Sequence, residues 1–167
     1  MNAQRLNLFI VDDNPLVVKD LTNYLDKLFG STLNISSFNS GATALQEMTN
    51  TTHIVILDYH LEKEDGNEVL ARMKKRFPLT KVIMLSSNET ISVAIESFRN
   101  GASEFIVKGE HSWIKISHSV KRMLWFPVRV LVKELGVSTF FAVFIMTFIT
   151  VGCVVLTVLY TMSWNQK

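Results

Sequence analysis

Short apolar runs alternate with stretches of helical periodicity along the first 125 residues. Five runs predict strands, at Leu6–Val11, Leu33–Phe38, His53–Asp58, Lys81–Leu85 and Glu104–Val107. Apolar residues recur at helical spacing in five intervening or following stretches, at about 15–28, 41–48, 67–76, 90–99 and 112–125. Strands that alternate with helices of this length predict a parallel, doubly wound α/β sheet with right-handed crossovers.

The third predicted strand ends on a carboxylate. Its residues, His53-Ile54-Val55-Ile56-Leu57-Asp58, are mostly apolar and rich in β-branched side chains, which is typical of a strand buried on both faces. In an open parallel sheet, ligands bind in the crevice beyond the carboxyl ends of the strands. Asp58 would stand there, and an aspartate in that position is a candidate nucleophile that can carry an aspartyl-phosphate.

Residues with useful chemistry end four of the five strands. Asp12 and Asp13 follow the first strand, Asp58 ends the third, Ser86 follows the fourth and Lys108 follows the fifth. Taken singly, each has an ordinary explanation, because acidic pairs often cap helices and Ser or Lys in such places is usually solvated. Their joint placement at one edge of the sheet favours a functional site.

Three crowded carboxylates need a divalent cation to hold them, and a set of oxygen ligands favours Mg²⁺. Asp13 and Asp58 would be direct ligands, and Asp12 would act close by or through water. An incoming phosphoryl group is also anionic, so a metal together with a cationic side chain would stabilise its transfer. Lys108 can supply that charge, and Ser86 can supply a hydroxyl donor.

The hydropathy pattern changes after Glu134. No Asp, Glu, Lys or Arg occurs again until Lys167, and residues 137–160 read VSTFFAVFIMTFITVGCVVLTVLY. A helix of this length would span roughly 36 Å, against about 30 Å for the hydrocarbon core of a bilayer. A buried core helix is the alternative, but such a helix rarely stays uncharged for so long. We therefore predict a transmembrane helix over 137–160.

The charges that flank this span predict its orientation. Five basic residues precede it and only Lys167 follows, the five being Lys115, Lys121, Arg122, Arg129 and Lys133. Positive charge stays on the cytoplasmic side, so we expect a single-pass protein of the cell inner (cytoplasmic) membrane with its C-terminus outside. Four regions follow: a cytoplasmic domain at 1–125, a basic juxtamembrane linker at 126–136 beginning near Pro127, the span at 137–160, and a short non-cytoplasmic tail at 161–167.

Composition excludes a few classes. The formal net charge of +2 over 167 residues indicates no particular charged partner. A single cysteine, Cys153, excludes an internal disulfide framework and a cysteine-based zinc site. The N-terminus has no secretory signal pattern. Nothing after residue 125 is similar to helix-turn-helix text, so we expect no nucleic-acid partner.

Residues 5 to about 125 resemble the receiver domain of a two-component response regulator, of the single-domain chemotaxis type. The matching text is FIVDDNP at the first strand, IVILDYHL at the third, a DG pair whose glycine lies eight residues after Asp58, VIMLSS at the fourth strand and NGASEFIVKG at the fifth. The resemblance implies a flavodoxin-like fold, with five helices and a five-stranded parallel sheet of order 2-1-3-4-5.

The resemblance also implies roles for the site. Asp58 would accept a phosphoryl group from a histidine kinase or a phosphotransfer protein. Ser86 and Lys108 would contact that group and couple it to movement, with Ser86 as a switch residue. Asp12, Asp13 and Asp58 would bind Mg²⁺, with the backbone carbonyl of one further residue, His60, as an additional ligand. Such a protein would be no enzyme beyond catalysing its own phosphorylation and dephosphorylation.

Three further positions carry implied switching or tuning roles. Phe105 occupies the aromatic switch position of the family, and the output face would comprise the fourth helix, the fifth strand and the fifth helix. His60 and Asn88 occupy positions that tune the lifetime of the aspartyl-phosphate, although His60 could equally be a plain surface histidine.

The chain departs from the family pattern in two loops. Gly109 stands where the family usually has proline after the lysine, which predicts a looser loop. Glu62 replaces a second proline that is common after the acceptor. The acidic run Glu62, Glu64 and Asp65 could influence the choice of phosphoryl donor, or it could simply be a solvated loop.

Together these features predict a membrane-anchored receiver that controls a phospho-dependent, membrane-associated protein partner. Two alternatives remain open. The domain could be a constitutive docking or scaffold module of a membrane complex in which phosphorylation is vestigial, or it could be a phosphate sink that drains a shared kinase.

Overall fold

The computed structural model describes residues 5–87, 90–134, 146–154 and 156–157, and for residues 125–134 it describes the helical backbone alone. The chain divides into two compact units, Met1–Met123 and Leu124–Lys167. The sheet and the candidate site lie in the first unit. The second unit is described separately below.

The first unit is built on a five-stranded parallel sheet. Its strands are β1 (Leu6–Val11), β2 (Leu33–Phe38), β3 (Thr52–Asp58), β4 (Lys81–Ser86) and β5 (Glu104–Val107). They lie in the order β2-β1-β3-β4-β5, so the predicted order 2-1-3-4-5 is confirmed. Two further strands of two residues each, His60–Leu61 and Glu64–Asp65, form a separate antiparallel ladder after β3 that the sequence pattern did not predict.

Five helices accompany the sheet strands, and four of them end within a few residues of the predicted positions. They are α1 (Pro15–Phe29), α2 (Gly41–Glu47), α3 (Gly66–Arg76), α4 (Ile91–Arg99) and α5 (Ser112–Glu134), and a short 3₁₀ turn covers Gly30–Thr32. Asn14 begins α1, because its side-chain oxygen accepts the N–H groups of Leu16 and Val17 at 3.0 and 3.4 Å.

The fifth helix corrects one prediction. We expected α5 to end near Trp125, ahead of Pro127, but the helix runs on to Glu134, so residues 126–134 of the predicted linker at 126–136 are helical. Proline removes one backbone donor and crowds the carbonyl four residues earlier. These effects bend a helix without always ending it, so a proline by itself is a weak stop signal.

The centre of the sheet is buried on both faces. Ile54, Val55, Ile56 and Leu57 are each at most 3% exposed, although alternate residues of a strand point to opposite sides. The strand that carries Asp58 is therefore held by packing from above and below as well as by hydrogen bonds to β1 and β4. This arrangement gives the carboxyl end of β3 little freedom to move.

Glu64 joins three elements on one side of the domain. Its Oε2 accepts the N–H of Ala42 in the first turn of α2 at 3.0 Å, and its Oε1 pairs with Arg72 Nη2 of α3 at 2.7 Å. Burial opposes ionisation, but the hydrogen bonds from Arg72 and Ala42 hold the pKa of the Glu64 carboxyl below its ordinary value. The carboxylate of Glu64 lies at the N-terminus of α2, where the helix dipole favours a negative charge. Among the acidic residues of this loop, Glu64 therefore has a structural role.

The second unit contributes a helical segment with exposed apolar side chains. Residues 146–154 and 156–157 are helical, and the side chains of Met146, Phe148 and Val151 are among those exposed. Within the described ranges, no helix combines the length and the apolar character that a membrane crossing requires. Much of the predicted span at 137–160, and all of the predicted tail at 161–167, lies outside the described residues.

Replacing Glu64 with alanine should lower the free energy of unfolding by about 1 kcal/mol at neutral pH, because the first turn of α2 loses its acceptor and Arg72 loses its partner. Urea unfolding followed by circular dichroism measures this. The matched control is Glu62→Ala, which removes an exposed carboxylate and keeps the backbone. Folding lowers the pKa of Glu64, so the carboxylate stabilises the folded protein only while it is ionised. The difference in free energy of unfolding between wild type and Glu64→Ala should therefore narrow as the pH falls through the pKa of Glu64 in the folded protein. An equal effect of both substitutions would contradict this structural role.

Candidate functional site

Three carboxylates meet where β1 and β3 end. The strands are parallel neighbours and Val11 pairs with Leu57, so the residues that follow them emerge side by side. Asp12 and Asp58 are 2% and 3% exposed, and Asp13 is partly buried. One carboxylate oxygen from each lies within 4.8 Å of the others. The structure thus brings together the three acidic residues that the sequence singled out.

Lys108 lies against two of these carboxylates. Its Nζ donates to Asp12 Oδ2 at 2.8 Å and to Asp58 Oδ2 at 2.7 Å. Its backbone N–H donates to the carbonyl of Ser86 at 2.8 Å, which joins the ends of β4 and β5. The side chain is 26% exposed, so the ion pairs are shielded from water on most sides. The site therefore combines three carboxylates with one ammonium group, which pairs with two of them, so the cluster keeps an excess of negative charge.

Burial and neighbouring charges shift the pKa values of two groups in the site, Asp58 and Lys108. Burial raises the pKa of the Asp58 carboxyl, and the Asp12 charge adds to this, although the Lys108 ammonium acts in the opposite direction. Burial lowers the pKa of Lys108, but its hydrogen bonds to Asp12 and Asp58 outweigh that effect and leave the pKa above its ordinary value. Burial is thus the main cause of the raised pKa at Asp58, whereas contact with the two carboxylates is the cause at Lys108.

Backbone N–H groups hold each carboxylate in place. Asp12 Oδ1 accepts from Asn14 N at 2.9 Å, and Asp58 Oδ1 accepts from His60 N at 3.3 Å. Since Asn14 caps α1, the ordinary explanation of the acidic pair as a helix cap does not apply.

Glu62 contributes its backbone to the same site. Its N–H donates to Asp13 Oδ2 at 2.7 Å. A proline at position 62 could not make this bond, because proline has no N–H group. The departure from the family pattern in this loop therefore adds a donor that orients a candidate metal ligand.

The remaining predicted residues lie nearby in different settings. Ser86 is fully buried, one residue beyond Leu85, the register partner of Asp58. Phe105 is partly buried against the core. The side chain of His60 is exposed, with its ring edge-on to Tyr59 at 4.7 Å between centroids. Asn88 lies outside the described residues.

Gly109 lies in a loop that is tied to the start of α5. Its carbonyl accepts from both the N–H and the hydroxyl of Ser112, at 3.0 and 2.7 Å. The predicted looser loop therefore has at least two hydrogen bonds that oppose its movement.

Gly66 is needed next to the acceptor because there is no room for a side chain. A Cβ there would lie 2.5 Å from the Asp58 carbonyl oxygen and 2.6 Å from Tyr59 Cα. The Gly66 N–H donates to the Tyr59 carbonyl at 2.9 Å, and Asp65 caps α3 by accepting from Asn67 N at 2.7 Å. The Asp65-Gly66 pair was part of the resemblance through its spacing from Asp58, but the contact of Gly66 with the Asp58 carbonyl could not be found from sequence.

The donor set fits a hard divalent cation. Mg²⁺ prefers carboxylate and other oxygen ligands and usually keeps several of its waters. Asp12, Asp13 and Asp58 supply such oxygens at one point, and the excess of negative charge around them favours a cation. The backbone carbonyl of His60, two residues after Asp58 in the sequence, is the further ligand that the resemblance implies.

Known proteins match the same part of the chain. A profile of the family described as the response regulator receiver domain matches residues 8–113. The DNA-binding transcriptional regulator NtrC of Escherichia coli (strain K12) is 27% identical over 106 residues, which cover 63% of this chain and 22% of NtrC. The transcriptional regulatory protein CssR of Bacillus subtilis is 29% identical over 101 residues, 60% of this chain and 44% of CssR. The match spans less than half of either relative.

Solved structures show the same fold. The BeF3-activated receiver domain of DrrB, a protein of Thermotoga maritima, superimposes with a TM-score of 0.64 at 25% identity and covers 72% of this chain and 98% of that one. The receiver domain of NtrX from Brucella abortus gives a TM-score of 0.63 at 25% identity, over 70% and 97% of the two chains. With the family profile covering well over half of its residues, this chain belongs to the response regulator receiver domain family.

Proposed function

We propose that this chain is a phosphorylation switch in a two-component phosphorelay, with Asp58 as the acceptor. The observation that carries the proposal is the buried Asp58 carboxylate, fixed at the end of β3 beside two further carboxylates and the Lys108 ammonium. A structural ion pair would need one acid for one base. A surplus of carboxylates at the carboxyl edge of a parallel sheet indicates a site that binds a cation and an anionic group together.

In the proposed reaction a carboxylate oxygen of Asp58 attacks the phosphorus of a phosphohistidine on a histidine kinase or phosphotransfer protein. An O–P bond forms as the P–N bond breaks, and the bonding electron pair stays on the imidazole nitrogen, which takes a proton from solvent. Hydrolysis of the aspartyl-phosphate by water then returns Asp58 and inorganic phosphate. Both reactions make or break a phosphoryl bond on Asp58 of this chain, so we propose no enzyme activity beyond its own phosphorylation and dephosphorylation.

Asp12, Asp13 and Asp58 would hold Mg²⁺, with the His60 carbonyl as a further ligand. The ion would neutralise the negative charge of the phosphoryl oxygens and of the carboxylates around them. Lys108 would move one of its hydrogen bonds from Asp58 to a phosphoryl oxygen, because the phosphorylated Asp58 side chain no longer carries a carboxylate charge. The Ser86 hydroxyl would donate to another phosphoryl oxygen, and His60 and Asn88 would influence how fast water reaches the group.

The proposed response is a shift of α4, β5 and α5. Lys108 follows β5 directly, and its backbone is bonded to Ser86 at the end of β4. A change in the partners of Ser86 and Lys108 would therefore act on both strands, and Phe105 on β5 lies partly buried where it could change its packing. This is a local change of charge that biases an element with two arrangements.

We also propose that the second unit anchors the chain in the inner membrane, with the receiver domain in the cytoplasm and the C-terminus outside. Residues 137–160 contain no charged side chain. The described part is helical, and its exposed apolar side chains would be buried by lipid. Thr150 Oγ1 donates to the carbonyls of Met146 and Thr147 at 3.0 and 2.9 Å, so its hydroxyl is satisfied within the helix.

A constitutive docking module is the second candidate. The observation in its favour is an apolar stripe on α4, formed by Ile91, Ile95 and Phe98, which are 75%, 47% and 51% exposed without any modification of Asp58. A partner that binds this stripe equally well to wild type and to Asp58→Asn would support this candidate over the switch.

Substituting Asp58 with asparagine should abolish labelling by radioactive acetyl phosphate in the presence of Mg²⁺, because an amide is not a nucleophile for phosphorus under these conditions. The assay uses the full chain in mild detergent, with the label located by mass spectrometry of peptides. Asp20→Asn, which changes an exposed carboxylate on α1, is the matched control and should label like wild type. Undiminished labelling of Asp58→Asn would disprove the acceptor assignment.

Substituting Asp13 with asparagine should stabilise the metal-free protein by about 1 kcal/mol, because one of three crowded like charges is removed. The amide oxygen can still accept from Glu62 N. Mg²⁺ should then stabilise wild type more than the variant, since a ligand that binds the folded state raises its stability. Urea unfolding with EDTA or with Mg²⁺ measures both effects, and Asp20→Asn is again the control. Equal stabilisation of wild type and Asp13→Asn by Mg²⁺ would argue against the metal site.

Placing arginine at both Phe148 and Val151 should release the protein from the membrane fraction of expressing cells. Each charge costs about 2.5–3.5 kcal/mol near the middle of a membrane-spanning helix. The control carries leucine at the same two positions and should stay in the membrane pellet after alkaline carbonate extraction, as wild type should. Wild type that remains in the soluble fraction would refute the anchor.

A further inference from the structure

Helix α4 is held against the domain by an unusual contact. Among its residues only Ser97 is fully buried, whereas the larger apolar side chains of Ile91, Ile95 and Phe98 point outward. A surface helix is normally fixed by an apolar stripe that faces the core. Because α4 turns its largest apolar side chains away from the core, a polar contact takes a larger share in fixing its position.

That contact is a hydrogen bond between α3 and α4. The Ser97 hydroxyl donates to Asn67 Oδ1 at 2.8 Å. Asn67 is 3% exposed and Ser97 is fully buried, so water does not compete for either partner. A hydrogen bond in such a place is directional and is costly to break, because a buried polar group is then left unsatisfied.

Asn67 is also closely connected to the acceptor. It directly follows Gly66, whose backbone is packed so tightly on the Asp58 carbonyl that no side chain fits between them. The Gly66 N–H is bonded to Tyr59, and Asp65 accepts the Asn67 N–H. The first turn of α3 is therefore clamped to the end of β3, and a shift of that end would move Asn67.

The Asn67 amide carries a second polar atom besides the oxygen that Ser97 contacts. Asn67 Nδ2 is buried and has no hydrogen-bond partner among the residues that the structure describes. An unpaired buried donor disfavours the arrangement that contains it. A displacement of α4 that offered Nδ2 an acceptor would lower this cost.

We propose that the Asn67–Ser97 hydrogen bond is a positioning link that couples the carboxyl end of β3 to the orientation of α4. Its role in signalling rests on the proposed function, because modification of Asp58 would be the event that shifts β3. Coupling is reciprocal, so a change in the link should also change how tightly the site binds a phosphoryl mimic.

The first test measures local opening of α4 in the full chain in mild detergent, by amide hydrogen exchange and mass spectrometry. Ser97→Ala should speed exchange in residues 91–99 by about tenfold, as expected when a buried hydrogen bond is lost, and should leave residues 52–58 of β3 unchanged. The matched control is Ser119→Ala, which deletes another fully buried hydroxyl, bonded within α5 to Lys115 O at 2.8 Å.

The second test uses a variant that removes both partners, Asn67→Leu with Ser97→Ala. Replacing both by apolar groups leaves no polar atom unsatisfied, so the variant should fold as stably as wild type. In wild type, beryllofluoride with Mg²⁺ should change exchange in residues 91–99. In the double variant the ligand should still bind, with an affinity changed by about threefold or more, and the response of α4 should be absent.

The outcomes separate the link from the function. If wild type does not bind beryllofluoride, the proposed switch fails, while the exchange of α4 in Ser97→Ala still decides whether the bond positions the helix. If Ser97→Ala exchanges like the Ser119→Ala control, the link is overturned. A double variant whose α4 responds to beryllofluoride as wild type does would overturn it as well.

Discussion

Three carboxylates that meet at one point, two of them paired with one lysine ammonium, constitute the interaction on which the rest of the structure depends. Asp12 and Asp58 are almost fully buried and share Lys108, while Asp13 stands at the same point. Like charges at this distance repel strongly away from water. The fold can hold them together only because each lies at the end of a strand or in a loop whose backbone is already fixed, and a cation would relieve the repulsion that remains.

The surroundings of the site are organised to resist that repulsion. Backbone N–H groups of Asn14, His60 and Glu62 each donate to one of the carboxylates. Gly66 allows the first turn of α3 to pack directly on the Asp58 carbonyl. If the charge at this site changed, the resulting movement would occur in the neighbouring elements that are packed less firmly. Helix α4 lies beside the site, and its one buried side chain, Ser97, is polar, so no fully buried apolar side chain anchors this helix.

Much of the fold follows from local patterns. The five strands and four of the five helices follow from the spacing of apolar residues, whereas the order of the strands was implied by the resemblance to the receiver family. The five residues at the ends of four strands could be singled out from the strand pattern, because parallel strands bring their carboxyl ends to one edge. The end of α5 could not be predicted, since a proline can be accommodated inside a helix when its neighbours hold it.

The sequence by itself determined the α/β architecture and which carboxylates and which lysine lie at the edge of the sheet, because both depend on periodicity and on strand ends. Only the tertiary structure decided that Glu62 orients Asp13 through its backbone, that Glu64 joins α2 to Arg72, and that Asn67 meets Ser97. These partners are separated by between 8 and 49 residues. No local pattern marks such pairs, because the packing of whole helices and loops brings them together.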